Sequence, residues 1–194
     1  KPFPVFTHEE AIKKFGADKF DFREDKEDKN EMAFAWVVDF PLLEKDDGGK
    51  WTFAHNPFSA PKPEHVEKLL RGEDLGGLKA QQYDLVCNGY ELASGGVRIS
   101  DPKVQRKVFE IMGLTEEQVE ARFGHIIHAY EYGAPPHAGM APGLDRFVML
   151  LANEPNIREV IAFPMDAGGH TSVMDAPSEA RPEQLKELGI QIKK

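Results

Sequence analysis

The chain has 194 residues, 41% hydrophobic and 29% charged, and its 33 acidic against 24 basic side chains give a formal net charge of −9. This is enough chain for a real core in one domain, or in a domain with an appendage, but the acidic balance excludes a surface built as a whole for nucleic acid. No run approaches the length of a membrane span, "KPFPVFTHEEAIKKFG" lacks the shape of a signal peptide, and the single cysteine, Cys87, forbids an internal disulfide, so a reducing cytoplasm is expected.

Residues 8–16, "HEEAIKKFG", read as a short helix with Thr7 as its cap and Gly16 as its stop. "DFREDKEDKNE", residues 21–31, is too polar for a core and reads as a solvated connector. "AFAWVVDFPLL" fits a buried strand closed by Pro41, "EKDDGGK" a turn, and "WTFAHNPF" a second strand running into a loop. Pro63 opens a helix, "PEHVEKLLRG", ended by Gly72. The densest strand signal, "YDLVCNGYELASGGVRIS" at 83–100, is broken at Asn88-Gly89 and again at Gly95-Gly96.

Two helices follow: "DPKVQRKVFEIMG", capped by Ser100 or Asp101, and "TEEQVEARFGHIIHAYEYG", which opens with a Thr-x-x-Gln capping box. His125 and His128 share a face of the second helix, a spacing that reads as packing rather than metal binding, and no Cys/His cluster has zinc spacing. The glycine- and proline-rich "GAPPHAGMAPG" leads into an apolar helix with Leu144, Phe147, Leu150 and Leu151 spaced for one buried face. "NIREVIAFP" looks like a strand and "RPEQLKELGIQI" like a closing helix with an edge segment. Strands grouped before and between helices, without regular βαβ alternation, predict an α+β fold: an antiparallel sheet flanked by helices.

Four features bear on chemistry. Asp84 and Glu91 would lie on opposite faces of an unbroken strand. If Asn88-Gly89 turns a tight hairpin, Cys87 pairs with Tyr90 and Val86 with Glu91, and both carboxylates face one way; a bulge would also change the parity. Such a pair is a seat for magnesium on a polyphosphate, or else two solvent-facing strand residues. Arg98, after two glycines, suits bidentate pairing to a carboxylate ligand or to an acidic neighbour across the sheet. His55 sits where a strand yields to a loop. Gly143, Leu144, Asp145 and Arg146 open the apolar helix: a glycine allows close backbone approach, first-turn amides favour anions, and Arg146 offers a planar fork for phosphate or a base. The same Asp-Arg pair reads equally as a solvated salt bridge.

Taken together, "FAWVVDFPLLE", "FAHNPFSAPKPE", "YDLVCNGYELASGGVRISDPKVQ", "YGAPPHAGMAPGLDRFVMLL", "NIREVIAFP" and "DAPSEARPEQLKELGIQI" stand in one order over nearly the whole chain. In this the sequence resembles the C-terminal part of the catalytic domain of bacterial-type aspartyl-tRNA synthetases. The resemblance implies a partial class II synthetase core over residues 1–194, with 21–32 a short connector where the bacterial insertion domain would sit. It implies that Gly143, Leu144, Asp145 and Arg146 form the third motif, which binds ATP, with the apolar helix face anchoring it to the core. Glu91 is expected at the ATP site and, with Asp84, to act through Mg2+. Arg98 is expected to read the side-chain carboxylate of L-aspartate and His55 to line the aspartate pocket, and the side chains of His55, Asp84, Glu91, Arg98 and Arg146 are expected along one cleft.

The implied reaction joins aspartate and ATP to aspartyl-adenylate and then transfers the aspartyl group to tRNA, with no general base. The family's first and second motifs and its anticodon-binding barrel are not found here. The implied chain is therefore a segment beginning after motif two, inactive alone, whose parent is a cytoplasmic homodimer meeting tRNA mostly elsewhere. "WVVDFP" and "PPHAG" favour this branch over an asparaginyl-tRNA synthetase, an asparagine-forming paralogue or a non-catalytic interaction module. "ASGGVR" is a mild variant of the family's "GGGSVR", and the loop at 165–173 diverges.

Overall fold

Thr7 ends strand β1 (Val5–Thr7) and caps helix α1 (His8–Phe15): its hydroxyl accepts from the Glu10 amide at 3.2 Å while the Glu10 carboxylate takes the Thr7 amide at 2.8 Å. This reciprocal capping box starts the helix, and Gly16, left-handed at φ 79°, stops it. The computed structural model describes residues 2–171 and 173–193 and divides into two units, one running to Leu144 and the other from Asp145. Ser172, in the divergent loop, lies outside the described residues.

In the first unit, β2 (Phe34–Val38) is followed by a small hairpin of β3 (Leu43–Lys45) and β4 (Trp51–Phe53), and then by β5 (Gln82–Cys87), β6 (Tyr90–Val97) and β7 (Ala138–Pro142). The main sheet runs β1-β2-β5-β6-β7. Every neighbouring pair is antiparallel except β1 with β2, so the predicted antiparallel sheet stands with one parallel pair at its edge. Two predicted boundaries move. Glu44 and Lys45 belong to a strand, and the turn is Asp46–Lys50, tied by Asp46 Oδ1 to the amides of Gly48 and Lys50. Gly95-Gly96 does not break β6; the strand runs through both, because each pairs on both sides, with β5 and with β7. Strand β7, in the segment predicted to be only a connector, supplies one of those partners.

The helices of the first unit pack against these strands in clusters. Helix α1 places Ala11 against Phe20, Ala35, Val37, Phe40 and Val86. A 3-10 turn at Pro63–His65 leads into α2 (Val66–Arg71), stopped by Gly72 at φ 70°, and fully buried Leu69 and Leu78 share a second cluster with Val104 and Val108 of α3 (Pro102–Ile111). Each such aliphatic side chain contributes about 1.5–3 kcal/mol by leaving water. Asp101 rather than Ser100 caps α3, accepting from the Lys103 amide at 2.8 Å. α4 (Glu116–Glu131) begins with the predicted Thr115–Gln118 capping box, and its Val119 and Ile127 enclose Phe109.

The second unit departs more from the sequence reading. In α5 (Leu144–Leu151) the buried side chain is Met149, whereas Leu144 and Leu151 are 73% and 66% exposed. Of the stripe predicted to be buried, Phe147 and Leu150 are half-buried. Beyond α5 the described residues of this unit form a 3-10 turn at Ile157–Glu159 and the six-residue α6 (Pro182–Glu187). "NIREVIAFP" forms that turn and no strand among the described residues, and the edge segment after α6 joins no ladder, because neither has a neighbouring strand to pair with.

Candidate active site

β6 continues past Val97 to Arg98, and three hydrogen bonds fix the backbone there. The Arg98 amide donates to His137 O at 2.9 Å, Ile99 N donates to Phe58 O at 2.9 Å, and Ala60 N donates to Val97 O at 2.8 Å. The loop after β4 is thereby drawn onto the end of β6. Its Asn56 Oδ1 accepts both the Phe58 amide at 2.9 Å and Arg98 Nη1 at 3.3 Å, and the Arg98 guanidinium lies 5.1 Å from the Phe58 ring centre. Phe58 in turn meets Phe109 and Phe123 edge-on, and fully buried Gln105 donates to Pro57 O at 2.8 Å. The guanidinium is thus held on an aromatic face anchored in the α3–α4 core. No carboxylate among the described residues lies within ion-pair distance of it, so the cross-sheet reading of Arg98 is set aside.

Arg98 lines a cavity of about 580 Å³ with His55, Asn56, Ser59, Ser94, Gly96 and the segment from His137 to Ala141. That volume suits a small-molecule ligand. Its floor is sheet backbone, because Gly96 carries no side chain to fill it. A Cβ on Gly95 would stand 2.3 Å from Gly139 O and 2.6 Å from Tyr83 Cε2, so only glycine fits between those two strands.

The carboxylates stand on the same face. Asn88 and Gly89, at φ 50° and 87°, make the tight turn that pairs Cys87 with Tyr90 and Val86 with Glu91. Leu92 is an extra residue in β6, a bulge that brings Asp84 opposite Ser94 and restores the alternation, so Asp84, Glu91, Ser94, Gly96 and Arg98 share one face. From Glu91 to Arg98 this stripe is roughly 20 Å long. Asp84 is 3% exposed, which excludes the solvent-facing reading for it, and its Oδ1 is buried with no hydrogen-bond partner among the described residues, as is Gln82 Oε1. Burial pushes the Asp84 carboxyl above its ordinary value, the Glu91 charge adds to this, and the Ser94 and Gln82 side chains and His55 oppose it. Glu91 is paired with Lys19 at 3.1 Å. No group of three or more acidic, His or Cys side chains able to cage a metal occurs among the described residues. Two carboxylates with an unsatisfied oxygen suit a cation that brings most of its ligands with it, as Mg2+ does on a polyphosphate.

Residues 1–167 match the family of class II tRNA synthetases (D, K and N). The chain belongs to that family. Aspartate–tRNA(Asp/Asn) ligases from Dehalococcoides mccartyi and Cereibacter sphaeroides are 50% and 53% identical to it, over 166 and 165 residues, 85% of this chain but 27% of theirs. The chain therefore spans about a quarter of the length of these curated relatives. Among solved structures, an aspartyl-tRNA synthetase from Entamoeba histolytica aligns over 88% of this chain and 33% of its own, with a TM-score of 0.60 and 26% identity. An asparaginyl-tRNA synthetase of the same organism, in complex with asparaginyl-adenylate, shares the fold at a TM-score of 0.55 and 23% identity.

Within this class II core, His55, Asp84, Glu91 and Arg98 lie in the first unit, on one sheet face and its bordering loop. Gly143 and Leu144 close that unit, and the Gly143 amide donates to Leu92 O at 2.7 Å. Asp145 and Arg146 open the second unit, in the first turn of α5. Sequence reasoning missed Asn56, Phe58, Gln105 and His137. The first two sit in the quoted "FAHNPF", but nothing local to it signals a partner 42 residues away. No helix among the described residues is long and apolar enough to cross a membrane.

Proposed function

We propose that the chain supplies the amino-acid pocket and the metal-side carboxylates of an aspartate–tRNA ligase, which joins L-aspartate to ATP as aspartyl-adenylate and then passes the aspartyl group to tRNA. One observation carries the reading: a guanidinium fixed by Phe58 and Asn56, without an acidic partner among the described residues, faces a cavity continuous with the sheet face that bears Asp84 and Glu91. Arg98 takes the side-chain carboxylate of aspartate as a planar fork takes a planar anion, and His55 borders the same pocket. The amino acid then lies at one end of the stripe with its α-carboxylate toward the nucleotide, placed to attack the α-phosphorus as pyrophosphate leaves. Such a displacement needs positioning and charge neutralisation more than acid–base chemistry.

Gly143, Leu144, Asp145 and Arg146 are assigned to ATP by their match to the third motif, with Glu91 alongside. Asp84 and Glu91 would hold Mg2+, which neutralises polyphosphate charge when bound. The complete enzyme is proposed to act in the cytoplasm as a homodimer and to meet tRNA largely through regions beyond this chain.

Arg98→Ala tests the pocket. In aspartate-dependent ATP–pyrophosphate exchange by the complete enzyme, kcat/KM for aspartate should fall on the order of 100-fold or more, because the ligand carboxylate is left desolvated and unpaired. Normal aspartate saturation in that variant would remove Arg98 from the pocket and the proposed substrate with it.

A further inference from the structure

The Asp84–Glu91 pair has a cation of its own. Lys19 Nζ stands 3.1 Å from Glu91 Oε2, and nothing in the third motif or the pocket accounts for this lysine. Its backbone is fixed through the residue that follows it. Next to it, Phe20 is 4% exposed and stacks on Phe15 with ring centres 4.1 Å apart, and Phe20 O accepts the amide of Gly89 at 3.0 Å. The loop after α1 is thus stapled to the β5–β6 turn, two residues from Glu91. The Lys19 stem, by contrast, is 48% exposed and can swing into water, whereas the Glu91 side chain is 20% exposed and stays against the sheet.

We infer that Lys19 is a placeholder cation: its ammonium holds the Glu91 carboxylate oriented and neutralised in the metal-free site, and a divalent cation takes its place on that carboxylate. This rests on the proposed metal role of Asp84 and Glu91. The pair suits such an exchange. Two carboxylates brought together on one face need a counter-charge, and Asp84 has a buried oxygen without a partner among the described residues. The charge available is a half-exposed ammonium on a flexible stem, whose partly solvated ion pair is weak enough to yield.

The test is titration of the full chain with Mn2+ alone, free Mn2+ being read by electron paramagnetic resonance. Lys19→Met keeps the stem and removes the competitor, so Mn2+ should bind about two- to five-fold more tightly, the range a partly exposed ion pair spans. Lys19→Arg keeps the charge and adds a second donor, and should bind Mn2+ no more tightly than the native chain. Glu91→Gln should lose the Mn2+ site with either residue at position 19. Unchanged or weaker Mn2+ binding by Lys19→Met, with the site still lost in Glu91→Gln, overturns the placeholder role alone. Native Mn2+ affinity in Glu91→Gln overturns the metal assignment and takes the inference with it.

Discussion

Asp84 shows what one buried charge costs and why it is kept. Its carboxyl is driven above the ordinary 3.8 chiefly by burial, with the Glu91 charge adding and Ser94 and Gln82 opposing. A carboxyl whose pKa is higher in the folded chain than in the unfolded one stabilises the fold when protonated. That contribution is complete below about 3.8 and is lost as pH rises through the folded value. At neutral pH the metal-free chain therefore carries a net penalty at this residue. Asp84→Asn, with nearly the same shape and no charge, should raise the urea midpoint at pH 7 in the presence of a chelator. The advantage should shrink on acidification and vanish below the ordinary carboxylate range. A lower midpoint at pH 7 would mean that its hydrogen bonds to the ionised form outweigh burial. A side chain that weakens the free fold yet gives a cation its oxygen is the trade expected of a functional site.

At the scale of the element, the seam between β6 and β7 is where the sheet becomes a binding surface. Gly95→Ala would drive a methyl carbon to 2.3 Å from the Gly139 carbonyl oxygen, a backbone atom that cannot yield without parting the strands. A destabilisation of about 2–3 kcal/mol is expected in urea unfolding. At Gly96 the added carbon would meet Gln81 O at 3.3 Å, a contact that asks for a shift of only a few tenths of an ångström, so Gly96→Ala should cost clearly less than Gly95→Ala. Equal losses at the two positions would contradict the steric account. The same seam marks the limit of what the sequence discloses. The cap at Thr7, the capping box at Thr115, the stops at Gly16 and Gly72 and the Asn88-Gly89 hairpin all rest on contacts within a few residues, and all are legible. β7 is not, since "AGMAP" has no strand periodicity and owes its extended form to pairing with β6, some 45 residues earlier by the Gly95–Met140 register. β1 is equally hidden, being three residues held by β2. Within the site, the shared face of Asp84 and Glu91 followed from turn geometry. Asn56, Phe58 and Gln105, which hold Arg98, act across the fold and left no local trace.

For the whole molecule, charge and extent argue together. The chain bears a net −9 and spans 27% of the relatives' length, while the reaction proposed for the complete enzyme ends on a polyanion. Affinity for a nucleic-acid backbone comes mainly from lysines and arginines that displace condensed counterions, and its signature is a steep fall of log affinity with log salt. Several of this chain's cations are already committed: Lys19 to Glu91, Lys62 to Asp39, Arg23 to Asp21, and Arg106 to Glu116. What the sheet face presents instead is a pocket for one amino acid beside two carboxylates, a surface that repels phosphate until a cation is bound. The 194-residue chain alone should therefore bind tRNA no more tightly than about 10⁻⁴ M at physiological salt, with a salt slope near zero, in fluorescence anisotropy titrations. A slope of several units, or micromolar binding, would show that this core carries its own tRNA surface, and the division of labour proposed for the complete enzyme would have to be redrawn.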